Sequence, residues 1–181
     1  MRVDDWLPPA APRETDAMLT QLAQRFVAAY QPVGARDLAY WSSLPAGMAT
    51  RAMELIGDRL EPVSSPFGPG WMIAGSPQPE DRSPAVRLLA AFDGALLGHR
   101  DRSPLMGERP FSDITAGSWI LPSVVADGRL VATWRPIRAR GTVTVRVTPL
   151  DRLDPAVLPA LRAEAADVGR FLGLTPGLEV L

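Results

Sequence analysis

The fold of this chain is decided by residues 35–63, which read ARDLAYWSSLPAGMATRAMELIGDRLEPV. The spacing of their apolar residues predicts a short helix over 35–41, a tight turn over 42–44 and a second helix over about 46–56. Two short helices joined by a tight turn are typical of the helix-turn-helix motif. We expect its inward side chains to be Leu38, Ala39, Leu44, Met48, Ala52, Leu55 and Ile56.

The segments around this motif extend it to a winged helix. A longer helix is predicted over about 15–30, where apolar residues repeat every three or four positions. After the motif, RLEPV (59–63) and WMIA (71–74) are short strand candidates, and the loop SSPFGPG between them is expected to form the wing. Three helices followed by a hairpin predict a winged-helix domain over 13–78.

The C-terminal third predicts a β-hairpin sheet with a capping helix, over 119–181. Asp127-Gly128 stands between two β-rich runs, which is a strong hairpin signal. Strict alternation in TVTVRVT (142–148) predicts a strand whose valines face a core. On the strand before it, Leu130, Ala132 and Trp134 are expected on one face, with Arg129, Val131, Thr133 and Arg135 on the other.

Two further segments complete the predicted organisation. Residues 79–118 are expected to be a strand and an irregular connection, and their VRLLAAF run also fits a buried helical turn. The proline-rich residues 1–12 are expected to be a tail or linker. The predicted fold class is α+β: a winged helix-turn-helix followed by the hairpin sheet and its helix.

Composition excludes several kinds of site. The 181 residues contain no cysteine and one histidine, which excludes disulfides and the usual zinc sites, so we expect no metal and no cofactor. No apolar run reaches the roughly 18 residues of a membrane helix, and the acidic N-terminus does not resemble a signal peptide. These features predict a cytoplasmic protein without a membrane partner.

The basic residues are distributed unevenly. Net charge is −1, yet all 19 basic residues are arginine, whose planar fork suits phosphates and base edges. Between 127 and 146 a single acid, Asp127, accompanies Arg129, Arg135, Arg138, Arg140 and Arg146. Such a two-stranded ribbon can lie along a phosphate backbone, with Arg138 and Arg140 expected in the loop PIRARG. The alternative is an ordinary solvent-exposed face of a sheet.

A second polar cluster lies in LLAAFDGALLGHRDRS, residues 88–103. Arg100 and Arg102 are candidate phosphate contacts, with His99 near a base or backbone; alternatively this is a solvated polar loop. Asp93 and His99 are weak catalytic candidates. For Asp93 we favour the alternative that the side chain caps a turn through its own backbone.

Other chemistry-bearing residues carry less information. The second helix of the helix-turn-helix would expose Thr50, Arg51, Glu54 and Asp58, a set with two acids that is poorly suited to reading bases in the major groove. We therefore expect that helix to be scaffold. The five tryptophans, Trp6, Trp41, Trp71, Trp119 and Trp134, could stack on bases. Of these, Trp41, Trp71 and Trp134 fall on apolar faces and are expected in the core.

Five segments in order resemble the AlkZ-like (YcaQ-type) family. They are DDWLPPA (4–10), LAQRFVAAYQPVGARDLAYWSSL (22–44), LLAAFDGALLGHRDRS (88–103), VVADGRLVATWR (124–135) and LRAEAADVGRFLG (161–173). The resemblance implies tandem winged helices and a place among DNA glycosylases that remove bulky alkylated bases and unhook interstrand crosslinks. It covers the C-terminal half of the family pattern, so the first winged helix is expected to be missing.

The resemblance also implies where this chain departs from its relatives. The family's catalytic Gln-x-Gln belongs to the first winged helix, and Gln21, Gln24, Gln31 and Gln78 form no such motif. His99 stands where the family commonly has tyrosine. The leading hypothesis is therefore a non-catalytic protein that binds double-stranded DNA.

Two alternatives stay open. One is a shortened glycosylase acting on N7-alkylguanine or crosslinks through Asp93 and His99. The other is an interaction module, in which a partner or a second copy covers apolar surface left by the missing first unit.

Overall fold

The computed structural model describes residues 14–77 and 86–181, and the chain divides into two compact units, residues 1–76 and 77–181. The predicted tail over 1–12, Gln78 and the start of the predicted connection lie outside the described residues. The α+β class predicted from sequence is confirmed. In the described part of the chain, no helix is both long and apolar enough to cross a membrane.

The described residues of the first unit form three helices and one hairpin. The helices are α1 (Thr15–Tyr30), α2 (Ala35–Ser42) and α3 (Ala46–Glu54), and the strands are β1 (Leu60–Ser65) and β2 (Gly68–Ile73). The backbone of Val33 also bridges to Trp71 on β2. Gln31, just after α1, accepts a hydrogen bond from the Ile73 amide at 2.8 Å through its side chain. These contacts fix the hairpin against the helices.

The core of this unit differs in detail from the predicted one. Leu38, Ala52 and Ile56 are fully buried as expected, but Met48 is exposed, and Ala49 and Met53 take the inner positions of α3. The strands extend into SSPFGPG, so only Pro66 and Phe67 remain as the turn. The predicted long loop is therefore wrong, because antiparallel pairing continues to Ser65 and Gly68.

Two of the tryptophans expected in the core are partly exposed instead. Trp41 on α2 is 39% exposed and packs in tilted ring contacts against Phe26 and Tyr30. Trp71 on β2 is 42% exposed. Trp134, in the second unit, is partly buried, and its indole donates to the Leu89 carbonyl at 2.8 Å.

The second unit is built on a five-stranded sheet. Its strands are β3 (Arg87–Leu89), β6 (Ser123–Ala126), β7 (Arg129–Ala139), β8 (Thr142–Pro149) and β9 (Thr175–Val180), in the order β3-β6-β7-β8-β9. A small hairpin pairs β4 (Thr115–Ala116) with β5 (Trp119–Ile120). The helices are α4 (Gly94–Leu97), α5 (Ser103–Met106) and α6 (Leu158–Leu172). Short 3-10 turns occupy Phe111–Ile114 and Pro155–Val157, and one in the first unit occupies Gly57–Arg59.

The hairpin at Asp127-Gly128 forms as predicted, with positive φ at both residues, the conformation of a type I′ turn. The predicted facing of β7 is wrong at one point. Val124 pairs with Ala132 and Val125 with Leu130, so Val131 has no partner on β6 and forms a bulge. Because of the bulge, the side chain of Leu130 packs in one apolar cluster, whereas those of Ala132 and Trp134 pack in another.

The last strand, β9, was not predicted. It runs parallel to β8, from Thr142 beside Thr175 to Val147 beside Val180. α6 packs on one face of the sheet through Leu161 and Ala165, where Val145 and Val147 are fully buried. The second cluster, around Leu96, Met106, Ile114 and Ile120, holds the segments between β3 and β6.

Candidate nucleic-acid interface

The arginines of the β7–β8 region do not form one row. Arg135, Arg138 and Arg140 are exposed, and within residues 14–77 and 86–181 no carboxylate forms an ion pair with them. Arg138 lies in strand β7, not in a loop as predicted, and only Arg140 occupies the turn. We call these three residues the arginine edge.

The position of the arginine edge follows from the sheet topology. The pairing between β6 and β7 ends at Ser123 and Thr133, and Trp134 donates its amide to Pro122. From Arg135 to Ala139 the described residues therefore leave one side of β7 unpaired. Pro136 fits there because it lacks the amide hydrogen that a central strand would require.

Alternation along β7 places the arginines on both sides of this edge. Arg138 shares a face with Trp134 and lines an apolar cleft with Glu164, Asp167 and Phe171 of α6. Arg135 lies on the opposite face, directly across from Arg146 of β8. The guanidinium groups thus extend from either side of one exposed strand.

The two remaining arginines of this region are held differently. The Nε of Arg146 donates to Glu179 of β9 at 2.7 Å, and both side chains are only partly exposed. Arg129 is exposed but lines a cleft of about 380 Å³ together with Asp127, Asp151 and Asp154. Neighbouring carboxylates therefore compete with an external anion for both arginines.

In the segment 88–103, Arg102 is occupied within the protein. Its Nε donates to the Leu96 carbonyl at 2.7 Å, and its guanidinium lies 4.2 Å from the ring centroid of Phe111. Arg100 is exposed, while His99 is partly buried. Of the two arginines predicted to contact phosphates here, Arg100 has the more accessible side chain.

The acids of this segment accept backbone hydrogen bonds. Asp93 caps α4, since its Oδ1 accepts from the Ala95 amide at 2.9 Å. Asp101 accepts from the Ser103 amide at 2.9 Å, and this bond lowers the pKa of its carboxyl. The observed contact of the Asp93 side chain is therefore the turn cap that was favoured from the sequence.

The one basic side chain on the outer face of α3 is paired with α1. Arg51 donates to Asp16 at 2.8 Å, which raises the pKa of the guanidinium. Glu54 and Asp58 are exposed nearby in sequence. The hairpin turn, Pro66-Phe67, carries no charge. α3 and the hairpin turn therefore offer few cations to a phosphate backbone. The other exposed arginines of the described first unit, Arg25, Arg36 and Arg59, lie on α1, on α2 and in the 3-10 turn.

The 380 Å³ cleft has its own charge arrangement. Arg109 is bound to Asp113 at 3.0 Å and also to Asp151, and its pKa is raised chiefly by the hydrogen bond to Asp151. These pairs cross-link the connection to the loop after β8. Nowhere in the described residues do three or more potential ligands gather into a metal site.

Trp119, one of the tryptophans that could stack on bases, forms an exposed pair with Phe92 that was not predicted. Phe92 and Trp119 are 40% and 55% exposed, and their rings touch edge to face. Phe92 precedes Asp93 and ends the VRLLAAF run, which was expected to be a strand or a buried helical turn. Their contact joins residues 27 positions apart, which no local pattern predicts.

Three comparisons with known proteins bear on this geometry. An interstrand DNA cross-link repair glycosylase of Streptomyces sahachiroi is 26% identical over 170 residues, covering 90% of this chain and 45% of the relative. The solved structure of the Streptomyces sahachiroi DNA glycosylase AlkZ has a similar fold, with a TM-score of 0.78 and 24% identity over 95% of this chain and 48% of that one. The chain thus spans about half the length of the relatives it matches. The family model described as DNA glycosylase AlkZ-like matches residues 2–171, and on that match the chain belongs to the AlkZ-like DNA glycosylase family.

Proposed function

We propose that this chain binds double-stranded DNA and that the arginine edge is its main contact with the phosphates. Membership of a DNA glycosylase family makes DNA the expected partner. The observation that carries the proposal is the concentration of three exposed arginines within six residues, along the unpaired edge of β7 and the turn after it, with no ion pair to a carboxylate of the described residues. The proposed binding is electrostatic, so it does not depend on the base sequence of the DNA.

We interpret the first unit as a winged helix that acts as scaffold. Three helices followed by a two-stranded hairpin, with Val33 bridged to β2, follow that arrangement. A helix that reads the major groove needs several basic or amide side chains. α3 offers Arg51, already bound to Asp16, beside acidic residues. Base reading by this helix is therefore not part of the proposal.

The geometry of β7 suggests how the arginine edge meets a backbone. A strand rises about 3.3 Å per residue, so Arg135 to Arg140 spans roughly 16 Å. That length corresponds to about five base-pair steps at 3.4 Å each. Because the side chains leave both sides of the strand, the edge can straddle a phosphate backbone. A flat ribbon lying along the backbone, which the sequence first suggested, would need all arginines on one face.

An alternative role for the same residues is edge protection. Arginine and proline on an unpaired strand discourage pairing with another chain. The two roles predict different consequences of mutation. Loss of protection increases self-association and leaves the DNA affinity of the monomer unchanged, whereas loss of phosphate contacts weakens binding.

The test measures fluorescence anisotropy of a labelled duplex at several salt concentrations. If three arginines each contact one phosphate, log K should fall with log salt with a slope of about −3. The variant R138A/R140A should reduce that slope by about 2. The variant R25A/R36A is the matched control, because it also removes two charges and both arginines are exposed on helices of the first unit, outside the arginine edge.

Three results would contradict the proposal. They are absent binding by the wild type at low salt, binding that does not respond to salt, and equal loss of affinity in R138A/R140A and R25A/R36A. Light scattering on the same samples distinguishes edge protection from phosphate contact, because edge protection predicts aggregation of R138A/R140A. It also tests the interaction-module alternative, which predicts a wild-type oligomer that does not bind DNA.

A further inference from the structure

An exposed aromatic pair lies in the second unit, outside the arginine edge. The ring centroids of Phe92 and Trp119 are 4.9 Å apart and their planes meet at 81°, an edge-to-face contact. Trp119 is 55% exposed and Phe92 is 40% exposed. We call these two residues the aromatic pair.

The backbone at Phe92 is strained. Its φ is +55°, a left-handed conformation that costs a bulky residue about 1–2 kcal/mol. Such conformations persist where the surrounding structure enforces them, and they cluster at functional sites. Here the next residue, Asp93, caps α4, so the turn that exposes the Phe92 ring is fixed from its C-terminal side.

Both rings stand on well-anchored elements. Leu96 of α4 is fully buried, and Ile120, next to Trp119, is 7% exposed. The two belong to one apolar cluster, which holds α4 and β5 together beneath the rings. The aromatic pair is therefore a rigid feature whose outer surfaces stay open to solvent.

The area of the aromatic pair limits what it can bind. Aromatic side chains present about 150–250 Å² each, so the exposed parts here amount to roughly 200 Å². A stable protein interface needs about 800 Å² per partner. A single nucleobase has a planar surface that one exposed ring can match face to face, and stacking on aromatic side chains tolerates any base. Because the planes of Phe92 and Trp119 meet at 81°, one ring can stack on the base while the other supports it from the side.

We propose that the aromatic pair stacks against an unpaired nucleobase of bound DNA. This proposal rests on the proposed DNA binding and adds a preference for DNA that contains an unstacked base. Stacked bases in an intact duplex offer no free face, so the preference depends on a bulge, a mismatch or a single strand. The exposed Arg100, on the same segment as Phe92, adds a positive charge to the surface of this unit.

The test compares binding to two duplexes that differ only in one extrahelical thymine. The wild type should prefer the bulged duplex. Trp119→Ala should lose that preference by about 5- to 100-fold, with little change on the paired duplex. Trp119→Phe should keep most of it. Phe171→Ala is the matched control, since Phe171 is an aromatic residue of α6 that is 88% exposed.

A substitution at Phe92 separates binding from folding. Phe92→Gly removes the ring but accepts φ +55° without strain, so it should fold at least as well as Phe92→Ala while losing the preference for the bulge. Denaturant unfolding of each variant checks the fold. If W119A does not fold, the preference for the bulged duplex is compared between the wild type, F92G and W119F instead.

The outcomes distinguish the two proposals. A wild type that binds neither duplex overturns DNA binding and the aromatic pair together. A wild type that binds both duplexes equally, or W119A and F92G variants that keep the preference, overturns only the stacking role. A wild-type dimer that Trp119→Ala dissociates would show that a second copy covers the rings, and it would also overturn stacking.

Discussion

Three aspartates in the second unit hold short helices or turns in the same way. The side chains of Asp93, Asp101 and Asp154 each accept a hydrogen bond, at 2.9 Å, from the backbone amide two residues later. The local sequences, Asp-Gly-Ala, Asp-Arg-Ser and Asp-Pro-Ala, all begin a helical turn. Because this hydrogen bond gives each carboxylate a structural role, the position of Asp93 near a candidate site does not require a catalytic role for it.

Substitutions at Asp93 distinguish a cap from an acid. Asp93→Asn keeps an oxygen that can accept from Ala95, so we expect unfolding free energy within about 0.5 kcal/mol of wild type. Asp93→Ala removes the acceptor and should cost about 1 kcal/mol. Urea denaturation measures both. Equal destabilisation by Asn and Ala would show that the negative charge, and not the hydrogen bond, is what matters.

Residue roles were predictable where the partner is local. The Asp93 cap involves Ala95, two positions away, and the sequence analysis favoured it. Arg146 is different: its partner Glu179 lies 33 positions away, on the strand that was not predicted. Arg102 likewise depends on how Phe111 folds back. Charge counting places arginines in a segment but does not show which of them are already paired.

At the scale of elements, β7 shows how one extra residue changes a surface. The bulge at Val131 reverses the alternation that the hairpin sequence predicts. The longer helices and the Asp-Gly turn were predicted because their signals are short-range, whereas the four-residue helices α4 and α5 lie in the segment that was expected to be an irregular connection. β9 was missed because Pro176 and Gly177 are poor strand formers, and because parallel pairing with β8 depends on the return of α6.

The close approach of α6 to β9 depends on a glycine. A Cβ at Gly169 would lie 2.8 Å from the Leu174 carbonyl oxygen and from the Pro176 Cβ. Gly169→Ala should therefore lower the unfolding free energy by about 1–3 kcal/mol, despite the better helix propensity of alanine. Gly47→Ala is the matched control.

Gly47 lies in α3, and a Cβ there would have no neighbour within 4 Å. Alanine at this position should leave stability unchanged or raise it by up to about 1 kcal/mol. Thermal or urea unfolding of the two variants gives the comparison. If G169A is as stable as G47A, then β9 does not pack against α6 as closely as described.

At the scale of the whole molecule, the positive charge of the arginines is concentrated in places and balanced elsewhere by acids. The net charge is −1, so the chain as a whole does not attract a polyanion. Binding must come from a surface where arginines outnumber nearby acids. In unit 2 the arginine edge meets that condition, since its three arginines have two acids, Glu164 and Asp167, in the cleft beside Arg138. By contrast, Arg109 and Arg146 are ion-paired, and Arg129 shares its cleft with three aspartates. Five sequence segments in a fixed order were enough to identify the family. Only the structure shows which arginines lie beside carboxylates and which do not.

The same scale decides what to expect of catalysis. No Gln-x-Gln motif occurs among the 181 residues, the Asp93 carboxylate is engaged in capping α4, and His99 is partly buried. We expect the 181-residue chain to bind DNA carrying N7-alkylguanine without releasing the base. Alkaline strand scission after incubation measures release, with the Streptomyces sahachiroi cross-link repair glycosylase as positive control. Product above the buffer background would contradict this expectation. D93N and H99F variants would then locate the activity, because loss in either would return that side chain to a chemical role.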